Sequence, residues 1–160
     1  TTVQNVYAIG DCNGKLMLAH TAYREAEVAV NHMLGRPDEM RYDVIPAVIY
    51  TDPEVASVGY AKEDAEKQGM NVKEVKLPMS YAGRYLAETE GGKGFIKLVI
   101  DTDKKRLVGC HMVGPYASEI IMTAIKFREF KIWSQAYKLK FINIHMLRNQ
   151  NPSFPLPTEH

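Results

Sequence analysis

Hydrophobic and polar positions change rhythm twice along this 160-residue chain. Residues 5–9 form a short apolar run, which predicts a buried strand ending at Gly10. From Leu16 to Leu34 the apolar positions Leu18, Ala22, Ala26, Ala29 and Met33 return at three- and four-residue steps, with Arg24 and Glu25 between them. That spacing predicts an amphipathic helix. Gly35 is placed to cap its end and Pro37 to stop it. The polar residues 37–43 then read as a linker, so a domain boundary falls there.

Beyond the linker the period shortens. Ala47–Tyr50 and Val55–Val58 are β-rich runs separated by a turn at Asp52-Pro53. Lys62 to Gln68 predicts a short exposed helix ended by Gly69, and Val72–Met79 a half-buried strand. Phe95–Ile100 and Leu107–Val113 predict a hairpin through the polar connection 101–105. Pro115 opens a second long helix to about Phe127, with Ile120, Ile121, Ala124 and Ile125 on one stripe. The expected fold class is α+β: an antiparallel sheet with helices packed on one face, preceded by a strand-helix piece of an α/β domain. The expected divisions are residues 1–36, the linker 37–43, a sheet domain over 44–127, and a divergent tail over 128–160.

Composition narrows the function classes. A formal net charge of +1 and the absence of an extended basic arm argue against nucleic acid. No apolar stretch approaches the length of a membrane span. The two cysteines, Cys12 and Cys110, form no Cys-x-x-Cys pair and read as reduced thiols in a cytosolic-type protein. His32, His111 and His145 are too scattered for metal ligands, and no metal site is expected. The basic run Lys104, Lys105 and Arg106 reads as a solvated turn. A chain that opens at Thr1-Thr2, directly before an apolar strand without parallel partners, reads as part of something larger.

The residues around the first turn carry the chemistry. Gly10 lets a ligand approach the backbone, and Asp11 offers an acceptor beside it. The helix N-terminus that follows presents unpaired amides and positive potential. Such a site suits polyhydroxyl and electron-rich groups, as on a flavin. An ordinary strand-turn-helix unit, with Asp11 as a helix N-cap, satisfies the same residues. A packing role is the plain reading of the His20 side chain.

Thr1, five residues and then Tyr7-Ala8-Ile9-Gly10-Asp11 resemble the second flavin motif of the pyridine-nucleotide–disulfide oxidoreductases. Met17-Leu18-Ala19-His20 is similar to the form found in the dihydrolipoamide dehydrogenase branch. Ile45–Thr51 and Pro53–Gly59 resemble the entry into that family's interface domain. Gly94-Phe95-Ile96-Lys97, Leu107–His111 and Val113–Ala117 extend the likeness across residues 1–127.

The resemblance implies that Asp11 accepts a hydrogen bond from a ribityl hydroxyl of FAD. Met17, Leu18, Ala19 and His20 would present backbone amides to the flavin ring. It also implies NAD as cosubstrate of the parent enzyme, with FAD not retained by this chain alone because the other FAD- and NAD-binding domains lie outside it. A homodimer follows, with the helix Tyr116–Phe127 and its Ile121 in the contact. Lipoyl domains of a 2-oxoacid dehydrogenase complex would be the partners, in the cytoplasm or the mitochondrial matrix. Tyr50, Thr51 and Glu54 either support the flavin domain or fill an aromatic seam between domains.

The same likeness predicts a His-Pro followed by a Glu, the pair that activates the dithiol. No His-Pro occurs in the sequence, nor a G-x-G-x-x-G or Cys-x-x-x-x-Cys, so no catalytic residue is assigned. Residues 128–160 carry five basic and two acidic side chains against fifteen and seventeen in 1–127, so composition also changes where the likeness stops. An irregular run is expected over 149–160. Two further readings remain: a self-associating domain without chemistry, and part of a glutathione or mercuric reductase.

Overall fold

A computed structural model describes residues 1–129. The expectations for the tail from residue 130 onward lie outside the described residues.

Five antiparallel strands form one sheet in the order β1-β2-β5-β4-β3. They are β1 (Pro46–Ile49), β2 (Val55–Gly59), β3 (Val72–Pro78), β4 (Phe95–Asp101) and β5 (Arg106–Val113). The helices are α1 (Ala19–Met33), α2 (Lys62–Lys67), α3 (Gly83–Glu88) and α4 (Ala117–Glu129). From residue 46 onward the limits of the strands, α2 and α4 lie within two residues of the expected ones.

Register explains the core. Ala56 pairs with Met112 and Met112 with Ile96, while Val58 pairs with Cys110 and Cys110 with Leu98. These two cross-strand rows project to one face because strand side chains alternate. Helix α4 lays Ala117, Ile121 and Ala124 on them at four- and three-residue spacing. Leu98, next to Val99 in β4, belongs to this cluster; Val99 belongs to a second one with Val108 and Ala65 of α2. The α+β class therefore stands, but α2 lies against the sheet face opposite α4, so the helices are not confined to one face. A register shift between Val99 and Ile100, opposite Leu107 and Gly109, gives β5 the extra residue that turns Val108 away from α4.

The hairpin turn is organised by Asp101. It is almost completely buried, and its Oδ1 accepts the amides of Asp103 (3.1 Å) and Lys104 (2.9 Å). Arg106 Nε stands 3.8 Å from the other carboxylate oxygen. The basic run is thus a turn pinned from within, with Lys104 and Lys105 exposed.

Several expectations need correction. Residues 5–9 form no strand: Val6 and Ile9 are about half exposed, and no neighbouring strand supplies backbone partners among the described residues. The helix begins at Ala19 rather than Leu16, with Leu18 extended at its N-cap. Its buried stripe is Thr21, Glu25 and Ala29, whereas Met33 of the expected stripe is exposed. The short helix α3 and the 3-10 turns Gly10–Asn13, Tyr42–Val44 and Met79–Tyr81 were not expected, since each is too short to show a period.

The end of α1 is closed as expected. Gly35 takes φ +69, its amide bonds His32 O at 3.0 Å, and the Arg36 amide bonds Asn31 O at 2.8 Å. These two bonds satisfy the last carbonyls in a Schellman arrangement. The linker is held to the helix rather than free. Arg24 of α1 grips Asp38 with two guanidinium contacts of 3.0 and 2.5 Å, and Asn31 adds a third at 2.7 Å. The Arg24 and Asn31 bonds hold the Asp38 carboxyl below its ordinary range.

Candidate functional site

The site begins at Gly10, whose φ of +74 suits glycine, and continues as a single 3-10 turn to Asn13. Gly14, also left-handed, closes it by donating to Asp11 O at 3.1 Å. The turn is stapled from below by Glu25, a charged side chain only 5% exposed. Glu25 Oε2 accepts the Gly10 amide at 2.6 Å, and Oε1 accepts Asn13 Nδ2 at 2.7 Å and the Tyr42 hydroxyl at 2.8 Å. Both ends of the turn and the linker thus meet on one carboxylate.

Electrostatics at Glu25 follow from that geometry. Burial pushes its carboxyl up, but the Asn13, Gly10 and Tyr42 hydrogen bonds and the nearby Lys15 charge together hold it below the ordinary value. Tyr42 is pushed up to about 12, first by burial and then by its bond to the carboxylate. A carboxyl depressed in the folded state adds stability that is present above its unfolded pKa and lost as pH falls through the folded one. Glu25→Gln should therefore be less stable than the unmutated chain at neutral pH. The gap should close on acidification below the ordinary carboxylate pKa of 4.5. Thermal unfolding followed across that range checks this; a gap independent of pH would refute it.

The side chain of Asp11 is exposed and does not cap α1, whose N-cap Leu18 makes no side-chain cap bond. The N-cap alternative is therefore excluded by position. The first intrahelical bond runs from Ala22 N to Leu18 O at 3.1 Å, so the amides of Ala19, His20 and Thr21 precede the ladder and face out of the helix end. Thr21 Oγ1 is buried and has no hydrogen-bond partner among the described residues. Met17 is exposed and Leu18 half-buried. An exposed acceptor at Asp11 and an uncapped helix N-terminus, on one short stretch of chain, fit a ligand with hydroxyl donors and electron-rich edges.

His20 bonds the sheet domain. Its Nε2 lies 2.9 Å from the carbonyl oxygen of Pro46, the first residue of β1. It joins the helix to the sheet domain by this bond while the residue itself stays exposed. Glu54 has moved from candidate to cap: its Oε2 accepts the Ser118 amide at the start of α4 at 2.9 Å, which lowers its carboxyl. Tyr50 is exposed and Thr51 donates to Pro53 O at 2.8 Å. Cys12 is exposed and Cys110 buried, both free, and burial pushes the Cys110 thiol up to about 12. Among the described residues no group of three His, Cys, Asp or Glu side chains could hold a metal ion, and no helix is long and apolar enough to cross a membrane.

Glu25, Asn13 and Tyr42 were not anticipated as site residues. Spacing gave no signal for Glu25: Thr21, Glu25 and Ala29 become the buried stripe only once α1 lies against the turn and the linker.

Residues 45–141 match the family described as pyridine nucleotide-disulphide oxidoreductase, dimerisation domain. The chain belongs to this family. The dihydrolipoyl dehydrogenase of Chlamydia muridarum is 40% identical over 121 residues, covering 76% of this chain and 26% of the relative. That of Bacillus subtilis is 40% identical over 125 residues, 78% of this chain and 26% of the relative. Among solved structures, LpdA from Mycobacterium tuberculosis superposes with a TM-score of 0.66 at 30% identity, over 76% of this chain and 27% of LpdA. The chain thus spans about a quarter of the length of the curated relatives it matches. The HOCl-induced flavoprotein disulfide reductase RclA from Escherichia coli, at 18% identity and a TM-score of 0.65, shares the fold over 95% of this chain and 32% of RclA. The dimerisation domain of a disulfide oxidoreductase is therefore the architecture built by the five-stranded sheet and α4.

Proposed function

We propose that this chain is the C-terminal part of a FAD-dependent dihydrolipoamide dehydrogenase, in which it supplies the homodimer contact and one wall of the flavin site. The observation that carries the reading is the exposed Asp11 beside the uncapped N-terminus of α1, joined through the linker to a dimerisation-domain sheet. Residues 1–36 are the end of the flavin domain, 37–43 the linker and 44–127 the dimerisation domain.

In this reading Asp11 accepts a hydrogen bond from a ribityl hydroxyl. The amides from Met17 to His20 face the flavin ring, where the positive helix end favours an electron-rich edge. When bound, FAD supplies the electron transfer between dihydrolipoamide, through a protein disulfide, and NAD. No residue of 1–129 is assigned to thiol or proton chemistry, so catalysis rests on groups outside these residues. Lipoyl domains of a 2-oxoacid dehydrogenase complex are the partners, and the free thiols suit a reducing compartment, cytoplasm or mitochondrial matrix.

Asp11→Ala in the full-length protein that carries this segment should lower the FAD content after purification. A hydrogen bond to a charged acceptor is worth about 1.5–3 kcal/mol, which corresponds to roughly tenfold weaker retention or more. The ratio of released flavin to protein measures it, and an unchanged ratio would reject the role of Asp11. The 160-residue chain by itself should stay colourless, because this segment supplies only one side of the cofactor site.

A further inference from the structure

We infer that Glu25 is the positioning residue of the flavin turn: its buried carboxylate fixes both ends of Gly10–Asn13 and so sets where Asp11 stands. The inference rests on the flavin reading above and names a group that reading does not use.

The turn is four residues long and none of its residues is buried. Nothing in its own packing fixes it. Its two ends are instead held by one carboxylate, at 2.6 Å from the Gly10 amide and 2.7 Å from Asn13 Nδ2. Asp11 and Cys12 lie between those two points and remain exposed. The third donor, Tyr42 at 2.8 Å, comes from the linker, and it ties the same carboxylate to the approach to β1. Glu25 itself is seated on α1 one turn after Thr21, so the helix that offers its amides to the ligand also carries the staple. The acceptor at Asp11 and the donors at the helix end are thereby held at a fixed separation by one side chain. Glu25 touches no ligand in this account; it acts through the turn.

An amide in place of the carboxylate brings an NH2 group toward donors, so at least one of the three bonds is lost. Exchanging the pair restores complementarity at two of them: with Glu25→Gln and Asn13→Asp together, the new amide donates to the new carboxylate and its oxygen still accepts from Gly10. The test uses the full-length protein carrying this segment, stripped of flavin and titrated with FAD. Glu25→Gln should weaken FAD binding about tenfold and shift the visible spectrum of the flavin that does bind. The double variant should recover most of both. The Gly10 amide proton resonance, read in the 160-residue chain, should lie far downfield in the unmutated protein, move upfield in Glu25→Gln and return in part in the double variant.

Full affinity in Glu25→Gln, in a protein whose Asp11→Ala variant loses flavin, would overturn the positioning role while leaving the flavin reading in place. A double variant that restores the Gly10 resonance but not the affinity would overturn it as well. An unmutated full-length protein that takes up no FAD would overturn the flavin reading, and the positioning role with it.

Discussion

Replacing Ile121 with glutamate should abolish cooperative folding of the sheet domain rather than split a dimer. Ile121 is fully buried, in one core cluster with Ala56, Val58, Cys110 and Met112 of its own sheet. This corrects the expectation that Ile121 sits in the contact between two copies. Truncating such a side chain costs about 2–5 kcal/mol by itself. A carboxylate buried there finds no partner in an apolar cluster and adds a desolvation cost, while a whole domain is stable by only about 5–15 kcal/mol. Thermal denaturation followed by circular dichroism should show no cooperative transition. A melt like that of the unmutated chain would contradict the assignment of Ile121 to the core.

The second large effect is expected on the other side of the same helix. Ile120 and Met122 are 36% and 53% exposed, and Tyr116 at the start of α4 is 49% exposed. Ile49 and Tyr50 at the end of β1 are also open to solvent, at 59% and 79%. Side chains of this kind on a dimerisation domain form the natural contact with a second copy, and a two-fold contact repeats each change on both sides. Met122→Glu therefore places two like charges in one interface. It should leave a cooperative melt, lower the melting temperature only by what the lost association contributed, and weaken self-association by about tenfold or more. Sedimentation equilibrium over a range of concentrations separates the cases; an unchanged association constant would remove α4 from the interface.

Ile121 and Met122 show how much of this was legible in the sequence. The helix and three members of its expected stripe, Ile121, Ala124 and Ile125, follow from spacing, as do the strands from residue 46 onward, whereas Ile120 of that stripe lies 36% exposed. Direction does not follow. Two apolar neighbours on one helix are equivalent in the sequence until the sheet has been placed beside one of them. The first 36 residues show the opposite limit. Asp11 and the helix after it are recognisable as a motif, yet the apolar run 5–9 forms no strand, since strand pairing depends on neighbours that the sequence of the run does not contain. Glu25 was overlooked because a glutamate between apolar positions reads as solvent-facing; only the fold shows three donors converging on it.

In the proposed function one protein combines a flavin held in part by this segment with a dimer formed by it. Sedimentation velocity of the full-length protein that carries the segment, recorded in parallel at the visible absorbance of flavin and the ultraviolet absorbance of protein, tests both at once. A single boundary at the dimer's rate should carry flavin and protein together, and Asp11→Ala should lower the flavin signal in that boundary. A boundary without flavin, or one that sediments as a monomer, would contradict it.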